Sequence, residues 1–131
     1  MRALIVDDDR DSVAGLATLL AAEGCDVRVE VSVHAGADTA AAWRPDVALL
    51  DIALPGNGAY LVARRLRVDG ARRATCLVAL SAWGEAEDRH QATAAGFDHH
   101  LVKPIDPLHL RVLLNAVAAR LREDSKGDTP A

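Results

Sequence analysis

Three short apolar runs, Ala3–Val6, Val47–Leu50 and Leu77–Leu80, each give way abruptly to a polar residue, and helix-period stretches separate them. This alternation constrains the fold more than any other feature. Strands divided by helices are joined by crossovers, which place the strands parallel and the helices on both faces of the sheet. Two weaker strands complete the pattern. Residues 26–31 (Asp26-Val27-Arg28-Val29-Glu30-Val31) alternate strictly, as a strand buried on one face does, and His99-His100-Leu101-Val102 is short and half polar.

The intervening stretches carry helix signals. Val13, Leu16, Leu19 and Leu20 line one face of a first helix, which Gly24 stops. Ser32 caps a second that runs to Trp43, before Pro45 breaks it. A third covers about 58–68 with Leu61, Val62 and Leu66 inward, and a fourth covers about 85–95 and stops at Gly96. Asp106-Pro107 opens a fifth, with Leu110, Leu113, Leu114, Val117 and Leu121 on its buried face. The fold class is therefore α/β, a (βα)₅ doubly wound parallel five-stranded sheet. Fully apolar strands belong at the centre of such a sheet and half-polar ones at its edges, which gives the order 2-1-3-4-5.

The chain's 131 residues, half of them apolar, suit one domain with a real core. Residues 122–131 lack apolar periodicity and are expected to be a disordered tail. No repeat, linker or second domain is apparent. A net charge of −4 argues against nucleic acid as a direct partner, although Arg64, Arg65, Arg67, Arg72 and Arg73 crowd together. That cluster reads as a solvated helix face. Cys25 and Cys76 match no metal spacing and read as reduced thiols. No apolar stretch approaches the roughly 18 residues of a membrane span. The first strand meets three aspartates too soon for a signal peptide, so a cytoplasmic location is expected.

The chemistry gathers where the strands stop. Asp7, Asp8 and Asp9 follow the first strand, Asp51 the third, Ser81 the fourth and Lys103 the fifth. In an open parallel sheet these carboxyl ends share one rim, where ligands bind. Carboxylates crowded there repel one another unless a cation intervenes, and Mg²⁺ is the natural hard, oxygen-seeking ion. Lys103 adds a compact positive charge and Ser81 a hydroxyl. Together these are the groups that phosphoryl transfer to a carboxylate requires, with Asp51 as nucleophile. Taken singly, an acidic run can be an N-cap, a serine a cap and a lysine a surface residue. Four strand ends in the right order are harder to ascribe to chance.

Ile5-Val6-Asp7-Asp8-Asp9, Leu49-Leu50-Asp51-Ile52-Ala53-Leu54-Pro55-Gly56, Leu80-Ser81-Ala82 and Val102-Lys103-Pro104 resemble the motif blocks of bacterial response-regulator receiver domains. Arg44-Pro45-Asp46 and Ala95-Gly96-Phe97-Asp98 fit the same pattern, and the likeness covers residues 2 to about 121. The resemblance implies a flavodoxin-like, chemotaxis-receiver-like domain over residues 1–121. It implies that Asp8, Asp51 and the carbonyl of Ala53 ligate Mg²⁺, with Asp7 acting through a metal-bound water and Asp9 serving only as a cap. Asp51 would take a phosphoryl group from a sensor histidine kinase or phosphotransfer protein. Ser81 and Lys103 would grip its oxygens. Ser81 and His100 would form the switch, Ala53 and Trp83 would tune the phosphoryl lifetime, and Lys103–Pro104 would be cis. A downstream effector protein, and a monomer or phosphorylation-dependent dimer, follow from the same likeness.

Two positions depart from the pattern. Gly58-Ala59 stands where receivers usually read Asp-Gly, and His100 stands where they usually carry Tyr or Phe. His99 points to the opposite face from His100, so the two cannot share a metal. His34, His90 and His109 read as surface residues. An aspartate-nucleophile phosphatase would need a second carboxylate at Ala53. Gly56-Asn57-Gly58 is a weak nucleotide motif, following the wrong strand. The remaining alternative is a receiver-like interaction module that is not phosphorylated.

Overall fold

Each apolar run forms a strand in the computed structural model, which describes residues 1–68, 75–82 and 96–127. β1 spans Arg2–Val6, β2 Asp26–Glu30, β3 Val47–Asp51, β4 Cys76–Ser81 and β5 His99–Val102. The strands pair in parallel in the order β2-β1-β3-β4-β5. Four helices are described, α1 over Arg10–Ala22, α2 over Val33–Trp43, α3 over Gly58–Val68 and α4 over Pro107–Gly127. A short 3₁₀ turn, Pro55–Asn57, precedes α3. The helix expected over 85–95 lies outside the described residues, as do Arg72, Arg73, Trp83 and His90.

Strand character explains the order. β3 and β4 are buried along their whole length, and β1 is buried beyond Arg2, whereas β2 and β5 are half-buried edges. Side chains alternate between the two faces and build two cores. Ile5, Leu49, Val78 and Leu80 pack with Leu16 and Leu20 of α1 and with Leu110 and Leu114 of α4. On the other face Leu4, Leu50 and Leu77 pack with Ala40 of α2 and with Ala59, Val62 and Ala63 of α3. Each fully buried Leu or Val contributes about 1.5–3 kcal/mol relative to exposure. The sheet is therefore a rigid slab whose carboxyl-end rim is set by both cores.

The caps follow the sequence. Asp9 caps α1 by accepting from the backbone N–H groups of Asp11 and Ser12, and Ser32 caps α2 by accepting from Ala35. Asp106 accepts from the N–H of Leu108 at the start of α4.

Three expectations are corrected. Leu61 is 51% exposed, and α3 instead buries Ala59, Val62 and Ala63, small side chains that let the helix lie close to the sheet. α4 continues to Gly127 rather than ending near residue 121. The sequence there is polar, but Arg122, Glu123 and Lys126 are good helix formers by intrinsic propensity, which suffices to extend an existing helix. Arg67 is not a solvated face residue: its guanidinium donates to the carbonyls of Thr75 and Gly96 and to Asp98, 2.8 Å away.

Gly58, one of the atypical positions, has a packing explanation. A Cβ there would lie 2.0 Å from Cγ2 of Val33 and 3.1 Å from its Cβ. Rotating the stiff, branched valine cannot clear the second contact. Gly58→Ala should therefore destabilise the fold by about 1–3 kcal/mol. In urea melts, adding Val33→Ala to the same chain should restore most of that loss, whereas additive losses would show that the contact is not its cause.

Candidate functional site

The rim is assembled by strand ends that the ladder holds level. Asp51 and Ser81 are the last residues of β3 and β4, not the first beyond them, so the hydrogen-bonded sheet itself places them. One residue past β5, the Lys103 N–H donates to the carbonyl of Ser81 at 2.8 Å, and the Lys103–Pro104 bond is cis. Past β1, the Asp7 N–H donates to the carbonyl of Glu30 at 3.1 Å. The strong β propensity of Val47–Leu50 and Leu77–Leu80 thus ends in fixed polar groups.

Asp7 and Asp51 are 1% and 6% exposed, unusually dry for carboxylates. Each is held in the same way. One oxygen of Asp7 accepts the backbone N–H of Asp9 at 3.0 Å, and one oxygen of Asp51 accepts that of Ala53 at 2.9 Å. Their other oxygens face the Lys103 ammonium, at 2.7 Å for Asp7 and 3.3 Å for Asp51. Asp8 is exposed, yet it offers an oxygen that lies with one each from Asp7 and Asp51 inside a 4.8 Å span. Among the described residues this is the group of acidic, thiol or imidazole side chains that could hold a metal ion.

Electrostatics are strained by that crowding. Burial pushes the Asp7 carboxyl above its ordinary range, and the hydrogen bond from Lys103 pulls only partly against it. Burial would lower the Lys103 ammonium, but its hydrogen bond to Asp7 and the charge of Asp51 outweigh burial and raise it. Three carboxylates against one ammonium leave excess negative charge. A hard divalent cation fits this all-oxygen donor set.

Ser81 is 1% exposed, and its hydroxyl is hydrogen-bonded to Nε2 of His100 at 2.5 Å. The sequence placed both at the switch but did not anticipate this direct bond. Ala53 is exposed and meets Asp51 through its backbone N–H. Trp83, the other expected lifetime residue, is outside the described set. His34 and His109 are exposed, as expected. Cys25 and Cys76 are free thiols, and burial holds Cys76 at about 11, far from reactivity.

A cleft of about 520 Å³ opens beside the rim, between α1 and the residues after β5. Asp7, Asp11, Ser12 and Lys103 are its polar lining, and Leu16, Leu19, Leu80 and Ile105 line it with apolar surface.

Comparison with known proteins agrees with this geometry. The family model for the response regulator receiver domain matches residues 3–115. The DNA-binding dual master transcriptional regulator RpaA of Synechocystis is 32% identical over 95% of this chain, which spans 51% of that protein. The phosphate regulon transcriptional regulatory protein PhoB of Pseudomonas aeruginosa is 31% identical over 98% of the chain and is spanned to 55%. The chain thus covers about half the length of these two relatives. Among solved structures, a response regulator of Chloroflexus aurantiacus superposes with a TM-score of 0.83 at 27% identity, over 90% of this chain and 97% of that one. The receiver domain of a Pseudomonas aeruginosa sensor histidine kinase, with a magnesium ion coordinated in its active-site cleft, superposes at 0.78 and 25% identity. It is matched over 88% of this chain and 94% of its own. With its strand order, its acidic rim and these relatives in accord, the chain belongs to the response regulator receiver domain family.

Proposed function

We propose that the chain is a phosphoacceptor signalling domain, in which Asp51 accepts a phosphoryl group from a phosphohistidine on a kinase or phosphotransfer protein. The observation that carries this reading is the shared ammonium. Lys103 lies against both buried carboxylates, where it can follow charge from Asp51 onto an incoming phosphoryl oxygen. The Ala53 N–H holds one Asp51 oxygen and leaves the other oriented by Lys103. Asp51 supplies the nucleophile and Ser81 a further hydroxyl donor. Asp8, Asp51, the Ala53 carbonyl and, through water, Asp7 would hold Mg²⁺. When bound, the ion supplies neutralising charge for the phosphoryl oxygens.

On this reading the chain promotes only its own phosphorylation and dephosphorylation. The adjoining cleft, with its apolar and polar lining, supports docking of the phosphodonor protein beside the acceptor. The receiver unit is residues 1–121, and its output is a change in a protein-interaction surface that a downstream effector reads. A cytoplasmic location accords with two free thiols and with the lack of any described helix long and apolar enough to cross a membrane.

The test is labelling with acetyl phosphate, with the labelled site mapped by peptide mass analysis. Uptake at Asp51 that EDTA abolishes is the expected result. Failure to label under any Mg²⁺ concentration would leave a non-phosphorylated interaction module as the better reading.

The metal ligands can be probed without a phosphodonor. Mg²⁺ should raise the thermal midpoint of the parent, because binding to the folded state alone adds stability by mass action. Asp8→Ala should abolish that rise while raising the metal-free midpoint, since one repelling carboxylate is gone. An Asp8→Ala chain that responds to Mg²⁺ like the parent would remove Asp8 from the ligand set.

A further inference from the structure

The Ser81–His100 hydrogen bond comes from the imidazole that this chain carries at the switch position, and a phenylalanine at the same place could make no such bond. Its direction follows from the sheet. β4 lies between β3, which ends in Asp51, and β5, which carries His100. His100 is paired with Ala79, two residues before Ser81, so both side chains lie on one face of the sheet. The imidazole therefore reaches along that face to Ser81 and engages its hydroxyl from the β5 side, at 2.5 Å. Asp51 stands on the opposite flank of β4.

A serine hydroxyl has a single proton to donate, and that proton goes to the imidazole in the tautomer that leaves Nε2 unprotonated. We propose that His100, in this tautomer, is a positioning residue that latches the Ser81 hydroxyl toward β5, and that a phosphoryl group on Asp51 must draw the hydroxyl off the imidazole to gain it as a donor. This inference rests on the phosphoacceptor reading for the second half of that contest, while the latch itself is a property of the resting chain. His100 thereby sets how strongly the phosphoryl state is held. Ser81 is almost fully buried, so water cannot replace either partner at low cost.

The experiment uses beryllofluoride with Mg²⁺ as the phosphoryl mimic, on the full chain. His100→Phe should bind the mimic about 3–10-fold more tightly than the parent, the worth of one released hydrogen bond. His100→Gln, which can still bond the hydroxyl, should stay near the parent. In the Ser81→Ala background, His100→Phe should change nothing. Equal or weaker binding by His100→Phe in a folded chain, or a gain that survives Ser81→Ala, would overturn the proposal.

A second readout needs no phosphoryl group. In the resting chain, Ser81→Ala should shift the nitrogen NMR resonance of His100 Nε2, and an unmoved resonance refutes the latch even if the mimic binds. A shifted resonance in a parent that binds no mimic would support the latch and refute the acceptor reading instead.

Discussion

Asp51→Asn will take up no phosphoryl label from acetyl phosphate, whereas Asp9→Asn will label at close to the parental rate. The two aspartates differ in what holds them. Asp51 is buried, with one oxygen on the Ala53 N–H and the other facing Lys103. An amide there keeps the shape and loses the nucleophile. Asp9 spends its carboxylate on the N–H groups of Asp11 and Ser12 and on the Ser12 hydroxyl. Asparagine caps a helix about as well as aspartate, so the substitution costs only a few tenths of a kcal/mol by order of magnitude. Label surviving in Asp51→Asn would refute the acceptor assignment. Label lost in Asp9→Asn would show that the acidic run acts as a unit.

The second large effect is expected at Lys103. Lys103→Met removes the cation between two dry carboxylates, and breaking a buried pair costs about 3–5 kcal/mol. The Lys103 side chain is 20% exposed, and solvent screening brings the expected loss to the bottom of that range or below it, about 2–3 kcal/mol. Phosphodonor labelling should slow by about 10²–10³, the effect of losing one charge-stabilising donor. The stability loss has a defined pH window. Lys103 in the folded chain lies above its ordinary 10.5, so its contribution is complete below that value and disappears as pH rises through the folded value. At the acid end, Asp7 is raised by burial, so the fold favours its protonated form and a neutral Asp7 no longer needs the ammonium. Denaturant melts of parent and variant should therefore differ most between those two titrations and less on either side, with the Lys103–Asp51 pair still contributing at the acid end. A difference independent of pH would mean that Lys103 acts through packing of its stem.

How much of this was legible in the sequence depends on where the information resides. An apolar run that stops on Asp51 or Ser81 reports burial, chain direction and a rim position at once, because a parallel sheet puts every strand's carboxyl end on one side. Hence the strand order, the caps at Asp9 and Ser32, and the clustering of Asp7, Asp8, Asp51 and Lys103 could be read from one dimension. Leu61 could not. Whether a helix buries its large residues or its alanines depends on how closely its neighbours approach, and the contact of Gly58 with Val33 joins α3 to α2, elements far apart in the sequence. The contacts of Arg67 and the bond between His100 and Ser81 were missed for a related reason. A polar side chain in a pattern says nothing about whether a distant carbonyl or hydroxyl awaits it. Continuation of α4 to Gly127 escaped because periodicity detects only buried faces, and a helix can run on without one.

The placement of β5 has a mechanical consequence. β1, β3 and β4 each have a ladder on both sides and a core on both faces, so none can shift without disturbing neighbours in four directions. β5 pairs with β4 alone among the described residues and is buried fully only at Leu101. Stiffness is therefore distributed unevenly across the slab, and one of its two compliant margins adjoins the strand that carries Ser81. Among the four strands that lead to Asp7, Asp51, Ser81 and Lys103, a force generated at the rim finds three unyielding members and one that can give. The molecule would transmit it as a door transmits a push, by turning about the jamb that β4 provides.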